Sequence, residues 1–90
     1  MEILRPFRER IEVLDGQLAA LIADRLRVCG EVAAVKKAEG IPMMQPDRVR
    51  AVCRAYAERG RALGVSPDFM AELATLLINE ACRLEDEIIG

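Results

Sequence analysis

Residues 8–36 read RERIEVLDGQLAALIADRLRVCGEVAAVK, and the spacing of their apolar residues decides the fold. Apolar residues recur every third or fourth position and no proline interrupts them, which is the pattern of an α-helix. The pattern predicts one long helix from about Pro6 to about Ala38. At about 1.5 Å per residue this helix is roughly 45 Å long, too long for a compact monomer of 90 residues. We therefore expect a second copy of the chain to cover it.

Positive charges lie on the apolar face of this helix. Its apolar stripe consists of Phe7, Ile11, Leu14, Leu18, Leu21, Val28, Val32 and Val35. Arg8, Arg25 and Lys36 follow the same helical spacing, although charged residues normally occupy the solvated face. A cation on a core-facing stripe is costly unless an anion meets it. The sequence therefore predicts a buried pocket for a small anion that carries several charges.

Two of these cations are placed to hold one ligand. Arg25 and Lys36 are eleven residues apart, which puts them within about 20° around the helix and about 16 Å apart along it. Arg8 lies about 25 Å from Arg25 along the same helix, too far to reach that ligand within its own subunit. In an antiparallel dimer Arg8 would enter the partner's site. The alternative is that Arg8 extends into solvent at the start of the helix.

Two shorter helices complete an all-α fold of three helices, which we expect to form one domain over the whole chain. Gly40 and Pro42 are placed to end the first helix. The second helix is predicted over about Pro46–Leu63, with Gln45 or Asp47 as its cap.

The third helix is predicted over about Pro67–Ile88, with Ser66 as its N-cap. Both shorter helices carry an apolar side at helical spacing. The residues expected to face inward are Val49, Val52, Cys53 and Tyr56 in the second helix and Phe69, Leu73, Leu76, Leu77, Ala81, Leu84 and Ile88 in the third.

The composition excludes several kinds of site. A net charge of −2, with two Phe, one Tyr and no Trp, argues against a nucleic-acid binder. The absence of His excludes His-based triads, and no glycine-rich phosphate loop is present. Cys29, Cys53 and Cys82 form no CxxC pair and are expected to be buried, reduced thiols. Without a signal peptide or a membrane-length apolar run, we expect a cytoplasmic protein that uses no metal or cofactor.

Two charged residues outside the first helix are further candidates for a site. Arg48 begins the second helix and either pairs with Asp47 at the surface or faces a ligand. Glu85 lies near the apolar side of the third helix and is either a solvated acid or a site residue. Met43 and Met44, in the loop before the second helix, are expected to serve packing.

In their order and spacing these residues resemble the all-helical (class II) chorismate mutases over essentially the whole chain. The matching skeleton is Arg8-x-x-Ile11-x-x-Leu14-Asp15, Leu18-x-x-Leu21-x-x-x-Arg25, Val32-x-x-x-Lys36, Asp47-Arg48, Gly64-Val65-x-Pro67-x-Phe69 and Leu77-Ile78. The resemblance implies an intertwined homodimer with two composite active sites for a small dicarboxylate. In each site Arg8 comes from the partner chain, whereas Arg25, Lys36 and Arg48 belong to one chain.

The resemblance also implies a cofactor-free Claisen-type rearrangement. Such a pericyclic reaction needs the substrate held in a near-attack conformer and positive charge where the breaking C–O bond becomes electron-rich. Arg8 and Arg25 would bind the two carboxylates, since a guanidinium matches a carboxylate. Lys36 would donate to the ether oxygen, and Arg48 would support the ligand and the loop before it.

Four positions depart from the usual pattern of the family. Val49 replaces a Glu that accepts from the substrate's 4-hydroxyl, and Gln45 replaces a frequent acidic residue. Ala81 replaces a Ser or similar residue, and Glu85 replaces a Gln that helps to hold the ether oxygen. To donate to that oxygen in place of Gln, Glu85 would have to carry a proton.

These departures look like the variant branch that acts on 4-amino-4-deoxychorismate, on the route to p-aminophenylalanine and certain antibiotics. Val49 suits a substrate without the 4-hydroxyl, and Glu85, Gln45 or a loop carbonyl are candidates to bind the ammonium. An ordinary chorismate mutase is the alternative. Isochorismate pyruvate lyases share the Arg-Val departure but keep the Gln of the third helix. A helical dimer that binds a related metabolite without turning it over is the remaining possibility.

Overall fold

The computed structural model describes residues 2–42 and 45–89 and is all-α over them, as predicted. A short 3₁₀ turn precedes three α-helices. The helices are α1 (Arg5–Glu39), α2 (Pro46–Leu63) and α3 (Pro67–Ile89). Met43 and Met44, for which packing is predicted, lie outside the described residues. No helix among the described residues is long and apolar enough to span a membrane.

The helices end where the sequence places its turn residues. Gly40 and Gly64 adopt left-handed φ angles of 65° and 76°, which a residue with a Cβ rarely adopts. Ser66 caps α3, because its Oγ accepts a hydrogen bond of 3.2 Å from the backbone N–H of Phe69. Gln45 occupies the N-cap position of α2, as predicted, but its side chain makes no capping hydrogen bond.

Helix α3 packs against both α1 and α2 and joins them into one unit. The buried apolar residues at these contacts are small: Ala33 and Ala74 are fully buried and Ala81 nearly so. At Gly60 of α2, an added Cβ would lie 2.7 Å from Cγ of Met70 and 3.0 Å from a backbone oxygen. Small residues therefore let the helices approach closely.

Most residues predicted to face inward do so. The four of α2 are half-buried, as are Leu73, Leu77 and Leu84 of α3. Phe69, Leu76 and Ile88 are 56%, 67% and 41% exposed, so the prediction that they pack inward is wrong within one chain. The physical reason is that the apolar stripe of α3 covers a wider arc of the helix surface than the part against which α1 and α2 pack.

The first half of α1 has no neighbour in its own chain. Every residue from 5 to 21 is exposed, and the molecule measures 56 × 25 × 15 Å. Its radius of gyration is 16.5 Å, against about 12 Å for a compact chain of this length. The accessible surface is 6860 Å², against about 5,200 Å² for a compact monomer of this mass. Much of the excess is the apolar stripe, which is the surface that a second copy would cover.

We therefore predict that the chain is a dimer of about 20 kDa, twice the 10.0 kDa of one chain. Leu18→Glu places a charge on the stripe and is expected to weaken the dimer by about 10-fold or more in Kd. Ala20→Glu adds the same charge about 160° away around the helix and serves as the matched control. Sedimentation equilibrium measures both. A monomeric wild type, or equal weakening by the two variants, would contradict the prediction.

Candidate active site

A cavity of about 470 Å³ opens between the second half of α1, the start of α2 and the second half of α3. This volume suits a small organic ligand. Its lining residues are Arg25, Val28, Cys29, Val32, Lys36, Gln45, Arg48, Val49, Val52, Ile78, Ala81, Cys82 and Glu85. The cavity thus brings together seven of the eight residues that the sequence nominates for the site, all except Arg8.

Helix α1 supplies one wall of the cavity through a single face. Arg25, Cys29, Val32 and Lys36 follow one another at intervals of three or four residues, so their side chains point the same way. Nη1 of Arg25 donates a hydrogen bond of 3.8 Å to Sγ of Cys29, one turn further along. This face carries a cation at each end and apolar groups between them.

The first turn of α2 supplies the second wall. Gln45, Arg48 and Val49 face the cavity, and the backbone oxygen of Gln45 accepts from the N–H groups of the other two at 2.9 and 3.1 Å. Asp47 pairs with Arg50, so the surface pair of Asp47 with Arg48 does not form. Within the described residues Arg48 forms no ion pair, and its cationic side chain lines the cavity next to the positive end of the α2 dipole.

Helix α3 supplies the third wall and the only carboxylate among the described residues that line the cavity. Glu85 is 6% exposed, and its Oε1 lies 3.6 Å from Nζ of Lys36. It is therefore not a solvated acid, unlike the exposed Asp86 and Glu87 beside it. Ala81, one turn earlier, is buried and presents only a methyl group. An ion pair at this depth strongly constrains both side chains.

The charges on the cavity walls do not balance. Arg25, Lys36 and Arg48 face a single carboxylate, that of Glu85, which leaves an excess of two positive charges. A ligand with two carboxylates would neutralise this excess. The described residues contain no group of three or more His, Cys, Asp and Glu that could hold a metal ion. The arrangement can bind, orient and polarise a small dianion.

Arg8 is the one nominated residue that does not line the cavity. It is exposed on the uncovered half of α1, about 25 Å from Arg25 along one unbroken helix. Its entry into the site of a partner chain stays a prediction.

Apart from Val49 and Ala81, the apolar residues of the cavity wall were not predicted from the sequence. Val28, Val52 and Ile78 line the cavity, and so do the thiols of Cys29 and Cys82. These thiols and that of Cys53 form no disulfide and are only half-buried, so full burial is wrong for all three. The position of Cys29 four residues after Arg25 could have placed it at the site, since residues at this spacing share a helix face.

Comparison with known proteins establishes the family. The family model described as chorismate mutase type II matches residues 7–86, nearly the whole chain. This chain belongs to the chorismate mutase type II family. It is therefore an enzyme of the mutase type. No solved structure matches the chain significantly.

Two curated relatives of this chorismate mutase-type chain carry a more specific name. A protein of Streptomyces pristinaespiralis named 4-amino-4-deoxychorismate mutase is 35% identical over 97% of this chain and 67% of its own length. A protein of the same name from Streptomyces venezuelae is 33% identical over 97% of this chain and 84% of its own length. The T-protein of Enterobacter agglomerans is 30% identical over 93% of this chain but only 22% of its own length.

The thiol of Cys82 gives a test of the cavity's polarity. Burial raises its pKa, and the nearby carboxylates of Glu85 and Asp86 raise it further. Only the thiolate reacts with iodoacetamide, so we predict that modification of Cys82 in the folded chain needs a higher pH than in urea. Peptide mass spectrometry at a series of pH values measures both. If the pH at which half of Cys82 is modified were equal in the folded chain and in urea, the cavity would not disfavour the thiolate.

Proposed function

We propose that this chain converts 4-amino-4-deoxychorismate to 4-amino-4-deoxyprephenate. The observation that carries the proposal is Val49 in the cavity wall, at the position where the family pattern has a Glu that accepts from a 4-hydroxyl. The excess of positive charge in the cavity suits the two carboxylates of such a substrate. Val49 is half-buried in the wall and offers only methyl groups. The names of the two Streptomyces proteins support the same reading. We place the reaction on the route to p-aminophenylalanine.

The reaction is an isomerisation that this set of residues can promote without forming a covalent bond to the substrate. The C–O bond of the enolpyruvyl ether breaks while a C–C bond forms, and no atom enters or leaves. Arg25 would hold one carboxylate and so fix the folded, near-attack conformer. Lys36 would donate to the ether oxygen, where negative charge develops as the C–O bond breaks. Arg48 would support the ligand from the start of α2.

The apolar wall has its own part in the proposed mechanism. Val32, Val52 and Ile78 face the space between the charged groups. They would press on the carbon skeleton of the substrate and keep water from the cations. Exclusion of water strengthens the interaction of Lys36 with the developing charge.

We propose that the second carboxylate is bound by Arg8 of a partner chain. The uncovered half of α1 carries Arg8 away from its own cavity. In an antiparallel pair of chains the same half would lie along the partner's cavity and deliver its guanidinium there. Each active site would then be composite, and one chain alone would bind a dianion incompletely.

The first experiment is product analysis by NMR with 4-amino-4-deoxychorismate, chorismate and isochorismate in separate incubations. We expect the amino compound to rearrange with a kcat/KM at least about 10-fold above that of chorismate, which is a difference of about 1.4 kcal/mol in the barrier. A preference for chorismate would identify an ordinary mutase, and release of pyruvate from isochorismate a lyase. Thermal stabilisation by these compounds without turnover would identify a binding protein.

Mixing two inactive variants tests the composite site. Arg8→Ala and Arg25→Ala should each abolish most activity in homodimers. After unfolding, mixing and refolding, half of the dimers pair one chain of each kind, and each such dimer holds one intact site. We therefore predict recovery of about a quarter of wild-type activity.

A matched control makes this test specific. Arg27→Ala removes an exposed arginine that pairs with Asp24, two residues from Arg25, and it should leave activity unchanged. Failure of the mixed variants to recover activity would show that Arg8 and Arg25 do not act in one shared site.

A further inference from the structure

We propose that Glu85 selects for the amino substrate by accepting a hydrogen bond from its 4-ammonium group. This inference rests on the proposed function and assigns to Glu85 a role opposite to that of a hydrogen-bond donor. The carboxylate would lie between two ammonium groups, that of Lys36 and that of the substrate.

The distribution of charge in the cavity favours this role for Glu85. The three cations on the walls repel any ammonium that enters with the ligand. Among the described lining residues, only the carboxylate of Glu85 offsets this repulsion. Asp47, Asp86 and Glu87 are exposed and lie off the cavity wall. Gln45 lines the cavity but carries no charge. A substrate with an ammonium therefore depends on Glu85 in a way that a substrate with a hydroxyl does not.

The carboxylate of Glu85 also has hydrogen-bonding capacity to spare. An ionised Glu has two oxygens and about four acceptor sites, and it donates nothing. Its Oε1 faces Nζ of Lys36 at 3.6 Å, longer than a normal hydrogen bond, and among the described residues it has no other ion pair. The buried carboxylate thus has acceptor capacity directed at a cavity in which every other charged group is a donor.

The covalent structure of the substrate places its amino group near the atom that Lys36 would reach. Its ether oxygen and its amino group sit on neighbouring ring carbons, so only three covalent bonds separate the two heteroatoms. A cation that reaches the ether oxygen therefore brings its paired carboxylate close to the amino group. Aliphatic amines are protonated near neutral pH, which makes this a charge-assisted hydrogen bond.

The test compares two substrates in Glu85→Gln. The substitution keeps the size of the side chain and raises the cavity's excess from two to three positive charges. We expect kcat/KM for 4-amino-4-deoxychorismate to fall about 10- to 100-fold, as for a lost hydrogen bond between charged groups. For the dianion chorismate we expect no fall or a small rise, so the preference between the two shrinks or reverses. Asp86→Asn, the same charge change on the exposed neighbour, should leave the ratio unchanged.

Other outcomes would overturn the inference. An equal fall for both substrates would show that Glu85 only positions Lys36. Unchanged rates with both would indicate that the glutamine still serves as a donor to the ether oxygen.

Failure of this inference is separable from failure of the proposed function. Calorimetry gives the Kd of each compound for wild type and for Glu85→Gln. The ratio of the two Kd values reports the preference even if wild type binds the amino compound without converting it. Circular dichroism checks that the Gln variant is folded, and Glu85→Asp is a second variant in case it is not. Because Glu85→Asp keeps the negative charge, this variant should retain the preference for the amino compound. Loss of the preference in a folded Asp variant would also contradict the inference.

Discussion

Helix α1 is covered by its own chain over only its second half, and the other features of the molecule follow from this constraint. The covered half packs on α3 and forms one wall of the cavity. The uncovered half exposes an apolar stripe whose burial would release about 25 cal/mol for each Å² removed from water. One continuous helix thus carries both the uncovered apolar stripe and one wall of the cavity.

The described lining of the cavity contains no histidine, serine or threonine, and it is equipped for binding and charge stabilisation. Its polar groups are two arginines, a lysine, a glutamine, a glutamate and weakly polar thiols. Such groups act by holding the substrate and by stabilising charge, which is what a pericyclic rearrangement requires. Under the proposed function, a change of substrate would need only an exchange of groups around one ring carbon, with the carboxylate contacts kept. Val49, Ala81 and Glu85 lie on these walls.

The helices were predictable because local signals mark their ends. Gly40 and Gly64 supply left-handed residues and Ser66 a cap, so the bounds agree with the prediction within one or two residues. Phe69, Leu76 and Ile88 were mispredicted, because periodicity gives the apolar stripe of a helix but not the width that its neighbours cover.

The site was predictable where it lies on one helix. Arg25 and Lys36 share a face of α1 at a spacing that the helix geometry fixes. The pairing of Lys36 with Glu85 joins two helices and depends on how they cross, which periodicity does not encode. Asp47 pairs with Arg50 and not with Arg48, because the side chain of Arg48 faces the cavity. The sequence alone does not show which way each of these side chains points.

The exposed stripe of α1 has a consequence for how much active enzyme a cell obtains. A chain that leaves this much apolar surface uncovered gains much of its stability from the partner that covers it. With a second copy as that partner, assembly is second-order in chain concentration. When the protein is scarce, the number of active sites would rise with the square of its amount rather than in proportion. A low rate of synthesis of the protein would then give disproportionately little conversion of its substrate.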